Sequence, residues 1–233
     1  MQITTAILLA GGEGTRLQSS VPALPKCLAP VNGRPFIDFM IGHLQLQGIE
    51  RFVFALGIKA NQVQQHLEHS WPGIEKIYSV ETTPLGTGGA IKKAAGYIDS
   101  PNVLVLNADT FFKFDLEDAS AFHQSSGAVC TLLLKPMNDT GRFGKVEINQ
   151  PGTVTAFREK EANTSGLINA GVYLLNLPAW LQTHWPAAFS FENDFLGQKF
   201  QEQKIAGLVQ DHYFIDIGVP ADYQKAQTET RIK

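Results

Sequence analysis

Short apolar runs alternate with amphipathic segments along the first half of the chain. The apolar runs predict strands at residues 5–10, 51–56, 76–80 and 102–106. Hydrophobic spacing predicts helices between them at residues 35–48, 61–69 and 90–97, the second one capped by Asn61. Parallel strands are usually joined by a helix that crosses over the sheet. The alternation therefore predicts an α/β fold with a mostly parallel sheet sandwiched by helices.

The pattern changes beyond residue 128. Short strands with turn residues between them are predicted at residues 128–135, 144–148, 153–158 and 170–175. Helices are predicted again at residues 193–202 and 220–230. No Pro- or Ser-rich linker separates the two patterns, so we predict one domain over residues 1–233 with a more mixed second half.

Composition restricts the function classes. With 44% hydrophobic and 18% charged residues, the chain is typical of a folded protein with a real core. A net charge of −3 argues against a general nucleic-acid or anionic-membrane binder, which needs a basic excess. The apolar runs are shorter than the roughly 20 residues that span a bilayer. Residues 1–10 lack the basic start and small-residue cleavage site of a signal peptide. The two cysteines form no disulfide framework, which is typical of reduced thiols, so a cytoplasmic protein is predicted.

The first candidate site follows the first predicted strand. It reads Leu9-Ala10-Gly11-Gly12-Glu13-Gly14-Thr15-Arg16-Leu17. Glycines let backbone N–H groups approach an anion closely, and the Arg16 fork matches phosphate oxygens. Leu17 stands where a dinucleotide fingerprint needs glycine, and the absence of Gly-Lys-Ser/Thr disfavours a P-loop hydrolase. A plain strand-to-loop turn remains open.

Two further loops are ambiguous by themselves. Lys26 follows Pro25 in a stiff, proline-containing segment from which its ammonium can project, although a solvated surface lysine explains it equally well. The run Glu81-Thr82-Thr83-Pro84-Leu85-Gly86-Thr87-Gly88-Gly89-Ala90 opens a predicted helix. It fits either a phosphate cradle at a helix N-terminus or a floor for a flat ring.

Two acids are candidates for a metal site. Asp109 comes just after the strongly apolar strand at 102–106, where open α/β sheets bind ligands. Asp216 is the single charge in the apolar run Tyr213-Phe214-Ile215-Asp216-Ile217. Two carboxylates that meet from distant sequence would bind a divalent cation such as Mg²⁺. A helix cap for Asp109 and a buried, hydrogen-bonded Asp216 remain the structural alternatives.

The remaining polar residues carry little signal alone. Glu159-Lys160, Asn169 and the segment Gly141-Arg142-Phe143-Gly144 look like ordinary surface positions. His66 and His69 share one helix face without a third ligand, so both are predicted to be surface residues.

Taken together, the motifs resemble one family. Leu-Ala-Gly-Gly-x-Gly-Thr-Arg-Leu at 9–17, Pro-Lys at 25–26, the glycine run at 84–90, the Asp109 strand, Glu-Lys at 159–160 and Asp216 are similar, in this order, to the sugar-1-phosphate nucleotidylyltransferases. The resemblance implies a Rossmann-like nucleotide-diphospho-sugar transferase fold and a Mg²⁺-dependent reaction. In that reaction a sugar 1-phosphate and an NTP give an NDP-sugar and pyrophosphate.

The resemblance also implies a role for each matching residue. Arg16, Lys26 and Asp109 become catalytic, and Asp109 and Asp216 become the metal ligands. The implied nucleotide contacts are Leu9, Ala10, Gly11, Gly12, Gly14, Thr15, Arg16, Pro84, Gly86, Thr87, Gly88 and Asn107. The implied sugar-phosphate contacts are Gly144, Glu159, Lys160, Asn169 and Gly171. Residues from 1 to about 127 would then bind nucleotide, and those from about 128 to 233 the sugar phosphate.

Two departures and several alternatives accompany this resemblance. Cys27 stands where relatives often have Pro, and Ala108 where many have Gly. Longer segments, among them 106–112, 136–139, 166–175, 189–192 and 213–220, resemble most closely the guanylyltransferases that act on heptose 1-phosphates. Mannose or another hexose or amino sugar with GTP, UTP, CTP or dTTP remains open. So do a non-catalytic, nucleotide-sugar-binding regulatory protein and a homo-oligomeric state.

Overall fold

The computed structural model describes residues 3–12, 17, 21, 23–158, 163–202 and 204–229. The strands are β1 (Thr5–Leu9), β2 (Pro30–Val31), β3 (Arg34–Pro35), β4 (Arg51–Leu56), β5 (Glu75–Val80), β6 (Asn102–Asn107), β7 (Thr110–Phe112), β8 (Cys130–Met137), β9 (Lys145–Ile148), β10 (Val154–Arg158), β11 (Gly166–Asn176), β12 (Ile205–Val209) and β13 (Phe214–Asp216). The helices are α1 (Phe36–Leu46), α2 (Ala60–Ser70), α3 (Gly86–Ala95), α4 (Leu116–Ser126), α5 (Leu177–Leu181), α6 (Gly197–Lys199) and α7 (Pro220–Thr228). A 3₁₀ turn spans Lys26–Leu28, and a π-helical segment, Phe191–Leu196, leads into α6.

Four parallel strands form the first half of the main sheet. They lie in the order β5-β4-β1-β6, with β1 paired to β4 on one side and to β6 on the other. The chain leaves β1 towards β4 and returns through α3 to β6, so the strand order reverses between β1 and β6. Open α/β sheets bind ligands beyond the carboxyl ends of the strands at such a reversal. The loops after Leu9 and Asn107 are therefore the expected place for a site.

The second half of the chain extends the sheet with antiparallel pairs. The long strand β11 pairs with β6, β8 and β9, and β12 adds to β8 in parallel. The register of β11 against β8 shifts between Asn169 and Tyr173, and Gly171 lies there with φ +70°. This irregular stretch bends β11 beside the end of β6. A separate two-stranded ladder joins β7 to β13.

Hydrophobic layers cover both faces of the sheet. Successive residues of β1 alternate between them: Ile7 belongs to one cluster, and Ala6 and Leu8 to the other. Helices α1, α2, α4 and α7 contribute to the Leu8 layer, and α3, α5 and the π-helical segment to the Ile7 layer. The prediction of a mixed, mostly parallel sheet sandwiched by helices is confirmed.

Several predicted element boundaries are wrong. Asn61 does not cap α2; Lys59 precedes the helix in the left-handed conformation (φ 67°) and turns the chain into it. Helix α3 begins at Gly86 rather than residue 90. The helix predicted at 193–202 begins at Phe191 and ends at Lys199, and the Ser190 side chain caps it by accepting from the Asn193 N–H. The pattern also missed α4 and β12.

None of the helices in the described part of the chain is long and apolar enough to span a bilayer.

Candidate active site

Two cavities meet at the carboxyl ends of β1 and β6. The smaller, of about 360 Å³, lies between the loop after β1 and the start of α3; we name it the first cleft. The larger, of about 1060 Å³, lies between β11, the loop before β9 and the ladder of β7 and β13; we name it the second cavity. Asn107, Asp109 and Glu192 line both. The two cavities therefore lie side by side and share part of their walls.

Backbone segments approach closely at the floor of the first cleft. A Cβ atom at Gly57 would lie 2.6 Å from the Gly11 carbonyl oxygen and 2.8 Å from Glu81 Oε1. Glu81 Oε2 accepts the Leu85 N–H at 3.1 Å. Only glycine therefore fits at position 57. The Glu81 carboxylate lies between the glycines at positions 11 and 57 and the loop that leads into α3.

The glycines at the start of α3 are explained by packing. Cβ atoms at Gly86 and Gly89 would lie 2.5 and 2.4 Å from the carbonyl oxygens of Phe189 and Ala187, and one at Gly88 would lie 2.3 Å from the Phe189 ring. The Gly88 and Gly89 N–H groups donate to the Phe189 carbonyl oxygen at 3.0 and 3.3 Å. These two donors are occupied, which disfavours a phosphate cradle at this helix N-terminus, one of the two open alternatives. Gly86 and Thr87 line the first cleft.

Asp109 and Asp216 come together beside Lys26. The Ile217 N–H donates to the Asp109 carbonyl oxygen at 3.0 Å, and Asp216 pairs with Thr110 in the β7–β13 ladder. Lys26 Nζ donates to Asp109 Oδ2 at 2.5 Å. A Cβ at Gly218 would lie 2.6 Å from Asp216 Oδ1 and 3.0 Å from Lys26 Nζ, so the ammonium also lies next to Asp216.

The electrostatics of this pair favour an additional cation. Burial and the nearby Asp109 charge raise the pKa of Asp216 above its ordinary value, although the Gly218 N–H, Lys26 and Arg142 act in the opposite direction. The Gly218 N–H donates to Asp216 Oδ1 at 2.5 Å. Two carboxylates that repel each other in spite of a neighbouring ammonium suit a hard divalent cation, because such cations prefer oxygen ligands. Within the described residues, no group of three or more His, Cys, Asp or Glu side chains forms a metal site, so the pair of Asp109 and Asp216 is the candidate.

Asn169 and Gly171 lie at the wall of the second cavity. Asn169 Nδ2 donates to the hydroxyl of Tyr173 at 2.9 Å, and the Gly171 N–H donates to Asn169 Oδ1 at 2.9 Å. Tyr173 is fully buried, and burial raises its pKa well above the ordinary value. Gly171 packs against the Asn107 side chain, where a Cβ would lie 3.0 Å from Nδ2. The bend in β11 thus fixes an amide and a glycine next to the end of β6.

Arg142 brings positive charge to the same cavity. Its guanidinium forms an ion pair with Asp222 at the start of α7 and lies 3.9 Å from Asp216 Oδ2. Gly144 lines the cavity nearby, and a Cβ there would lie 2.9 Å from the Arg158 carbonyl oxygen. Local sequence does not single out Arg142, because its partners lie about 75 residues away or more.

The described residues implied by the family resemblance lie mostly around the two cavities. Those that line the first cleft are Leu9, Gly11, Gly12, Pro84, Gly86, Thr87, Asn107 and Asp109. Those that line the second are Asn107, Asp109, Gly144, Asn169, Gly171 and Asp216. Ala10 and Gly88 are buried beside the first cleft, and the Ala10 N–H donates to the Ala55 carbonyl oxygen at 2.9 Å. The predicted residues Gly14, Thr15, Arg16, Glu159 and Lys160 lie outside the described residues.

Glu81, Glu192 and Arg142 were missed as site residues. Each lies in a loop or at a helix end, and nothing in its immediate sequence distinguishes it from a surface charge. The available signal is indirect: Glu81 begins the candidate loop at 81–90, and Glu192 ends the segment 189–192 that carries part of the resemblance, but neither was assigned a role.

Two other sequence predictions concern residues away from the chemistry. His66 is not a surface residue: its Nε2 lies 2.7 Å from Oδ1 of the buried Asp38, whereas His69 is exposed. Cys27 and Cys130 are free and buried. Burial raises the pKa of the Cys27 thiol to about 12, so this neighbour of Lys26 stays protonated and unreactive near neutral pH.

Comparison with known proteins identifies a family and several relatives. The family model described as nucleotidyl transferase matches residues 5–232. The D-glycero-α-D-manno-heptose 1-phosphate guanylyltransferase of Aneurinibacillus thermoaerophilus is 43% identical over 96% of this chain and 97% of that protein. The enzyme of the same name from Campylobacter jejuni is 40% identical over 94% and 96%.

Solved structures show the same similarity. The crystal structure of HddC from Yersinia pseudotuberculosis superimposes with a TM-score of 0.86 at 33% identity, covering 97% of this chain and 98% of that one. A second HddC structure, complexed with GMP-PN, gives the same values. Since the family model spans nearly the whole chain and two relatives exceed 30% identity over almost their full length, the chain belongs to the nucleotidyl transferase family.

Proposed function

We propose that this chain is a D-glycero-α-D-manno-heptose 1-phosphate guanylyltransferase. It joins the sugar 1-phosphate to GTP and releases pyrophosphate. The named relatives support the substrate pair. The observation that carries the chemistry is the approach of Lys26 and Asp216 to Asp109, which lines both cavities. Two phosphate-bearing reactants repel each other, and this junction is where cations can bring them together.

The reaction needs positioning more than proton transfer. An oxygen of the sugar phosphate attacks the α-phosphorus of GTP, and pyrophosphate leaves in line. A phosphate monoester is already an anionic nucleophile, so the protein contributes alignment and charge stabilisation. Lys26 would supply a fixed positive charge at the reacting phosphates, because its side chain is only 13% exposed and its ammonium is held by Asp109.

Asp109 and Asp216 are the residues that would hold Mg²⁺. Bound there, the cation neutralises phosphate charge and stabilises the transition state. Arg16 would hold the β- and γ-phosphates together with the loop at Gly11 and Gly12, and Lys160 the incoming sugar phosphate. These two roles come from the family resemblance. The assignment of residues up to about 127 to nucleotide and of about 128–233 to sugar phosphate remains part of the proposal, as does a cytoplasmic location.

Glu81 supports guanine as the base. Guanine presents two neighbouring donors, N1–H and N2–H, and one carboxylate can accept from both. Uracil and thymine present a single N3–H, and cytosine presents an acceptor at N3. The Glu81 carboxylate lines the first cleft and is held by the Leu85 N–H. A carboxylate in that place favours guanine over the pyrimidines.

A nucleotide panel tests the proposal. GTP, UTP, CTP and dTTP are each paired with heptose 1-phosphate and mannose 1-phosphate, and pyrophosphate release is measured with Mg²⁺ present. The highest kcat/KM is expected for GTP with the heptose. A preference for a pyrimidine nucleotide or for mannose 1-phosphate would replace the substrate assignment. Tight GTP binding without turnover of either sugar would favour a regulatory protein.

Glu81→Gln sharpens the same test. The amide can pair with one guanine donor but presents its own NH₂ to the other, so GTP should lose at least about tenfold in kcat/KM relative to the pyrimidine nucleotides. Glu68→Gln is a control on an exposed part of α2. An unchanged ratio of GTP to UTP in the Glu81 variant would remove Glu81 from base selection.

A further inference from the structure

Glu192 lies where the two cavities join, and neither the sequence motifs nor the mechanism above assigns it a role. It is half-buried in the π-helical segment Phe191–Leu196 and lines both the first cleft and the second cavity. π-Helical turns are rare and often occur at functional sites. Asn193, Gly197 and Gln198, which follow it, line the second cavity.

The position of this carboxylate is fixed from one side. Thr87 Oγ1 donates to Glu192 Oε2 at 2.5 Å and itself accepts the Phe191 N–H at 2.9 Å. Ser190 Oγ donates to the same oxygen at 3.4 Å. Both donors use Oε2, so Oε1 has no donor among the described residues. The described residues also place no Lys, Arg or His within ion-pair distance of Glu192.

The chemistry of a fixed carboxylate without a cation suits hydroxyl groups. A carboxylate oxygen accepts strong, charge-assisted hydrogen bonds from O–H donors. Asp109 and Asp216 face phosphates and Lys26, and a carboxylate that is not paired with a cation would repel a phosphate. The uncharged donors that meet at this junction, if the proposed function holds, are hydroxyl groups of sugar rings.

We propose that Glu192 is a specificity-determining residue that accepts hydrogen bonds from ring hydroxyl groups at the junction of the two substrates. This inference rests on the proposed function. The hydroxyl groups have two sources: the ribose of the nucleotide and the ring of the sugar 1-phosphate. Thr87 positions the carboxylate by holding Oε2, which leaves Oε1 for the substrate.

The test is Glu192→Gln, assayed with complete and deoxy substrates. The variant loses the negative charge but keeps an oxygen that can accept from Thr87, so the protein should still fold. One arm compares GTP with 2′-deoxy-GTP and 3′-deoxy-GTP, and the other compares heptose 1-phosphate with its 2-, 3- and 4-deoxy analogues. In one of the two arms, the variant's KM for the complete substrate should rise about tenfold, which is the difference between a charge-assisted and a neutral hydrogen bond. In the same arm, the ratio of kcat/KM for the complete substrate to that for one deoxy analogue should fall by the same factor. Glu202→Gln, at an exposed glutamate paired with Lys199, is the matched control and should behave as wild type.

The outcomes separate the two proposals. Selective loss in the GTP arm assigns ribose, and selective loss in the heptose arm assigns the sugar ring. Equal losses for complete and deoxy substrates in both arms, or no loss, would overturn the role of Glu192. If the wild-type chain turns over no sugar 1-phosphate, the proposed function fails instead. The same comparison then proceeds by calorimetric binding of these compounds, where equal affinity ratios in wild type and variant would overturn the inference.

Discussion

Replacing Lys26 with Met removes the charge at the centre of the site and keeps most of the apolar stem. The ammonium lies 2.5 Å from Asp109 Oδ2 and close to Asp216, and its side chain is only 13% exposed. Water therefore has little access to the position that the ammonium leaves, and it carries no charge to replace it. By comparison with the loss of one oxyanion-hole donor, we expect about 2.7–4 kcal/mol of lost transition-state stabilisation, or roughly 10²–10³ in kcat.

The effect on folding should be much smaller. Breaking a fully buried ion pair costs about 3–5 kcal/mol, but the Asp109 side chain is 38% exposed and can be hydrated after the change. Lys26→Met should therefore unfold near the wild-type denaturant midpoint. This separation of activity from stability is what distinguishes a catalytic lysine from a structural one.

The assay is steady-state pyrophosphate release at saturating GTP and sugar 1-phosphate. Lys26→Arg keeps the charge and should retain more activity than Lys26→Met, while Lys225→Met on the exposed surface of α7 should leave kcat unchanged. A kcat within about threefold of wild type in Lys26→Met would refute the role given to the ammonium. So would equal losses in the Arg and Met variants.

Two further predictions concern stability. Gly88→Ala should lower the free energy of unfolding in urea by about 1–3 kcal/mol, because its Cβ would lie 2.3 Å from the Phe189 ring. Gly73→Ala, with open space around it, should be neutral. Equal urea midpoints for the two variants would contradict the packing explanation. Burial lowers the pKa of His43 and of His123 to about 4 from an ordinary 6.5. The unfolded chain then binds more protons between these values, so stability is complete above about pH 6.5 and is lost towards pH 4, by up to about 3 kcal/mol for each histidine. His123→Gln should reduce the slope of unfolding free energy against pH, and an unchanged slope would show that this histidine is not responsible.

The sequence was sufficient for the alternating half of the fold. Residues 51–56 and 102–106 were predicted as strands from local apolar runs, and both are central or near-central strands whose composition follows from burial on both faces. Motif order was sufficient for the family. Local patterns failed where a distant segment decides the structure. The first turn of helix α3 is held by the Phe189 carbonyl, which accepts the Gly88 and Gly89 N–H groups, and nothing within residues 81–90 encodes that partner.

The site shows the same limit. Asp109 was recognisable from its strand, and Asp216 from its isolation among apolar residues. Their approach depends on the pairing of β7 with β13, which joins segments roughly 100 residues apart. Glu81 and Glu192 belong to segments that the sequence singles out, but their candidate roles depend on cavities formed by several elements, so sequence alone assigned them no function.

The most direct test of the central claim is Mn²⁺ binding, followed by electron paramagnetic resonance, in the presence of GTP for wild type and Asp216→Asn. The account predicts that the wild-type chain binds Mn²⁺ with GTP more tightly than GTP alone does. The variant should lose that gain together with Mg²⁺-dependent activity. Equal Mn²⁺ affinity and an unchanged Mg²⁺ response in Asp216→Asn would contradict the claim that Asp109 and Asp216 hold one divalent cation between the two substrates.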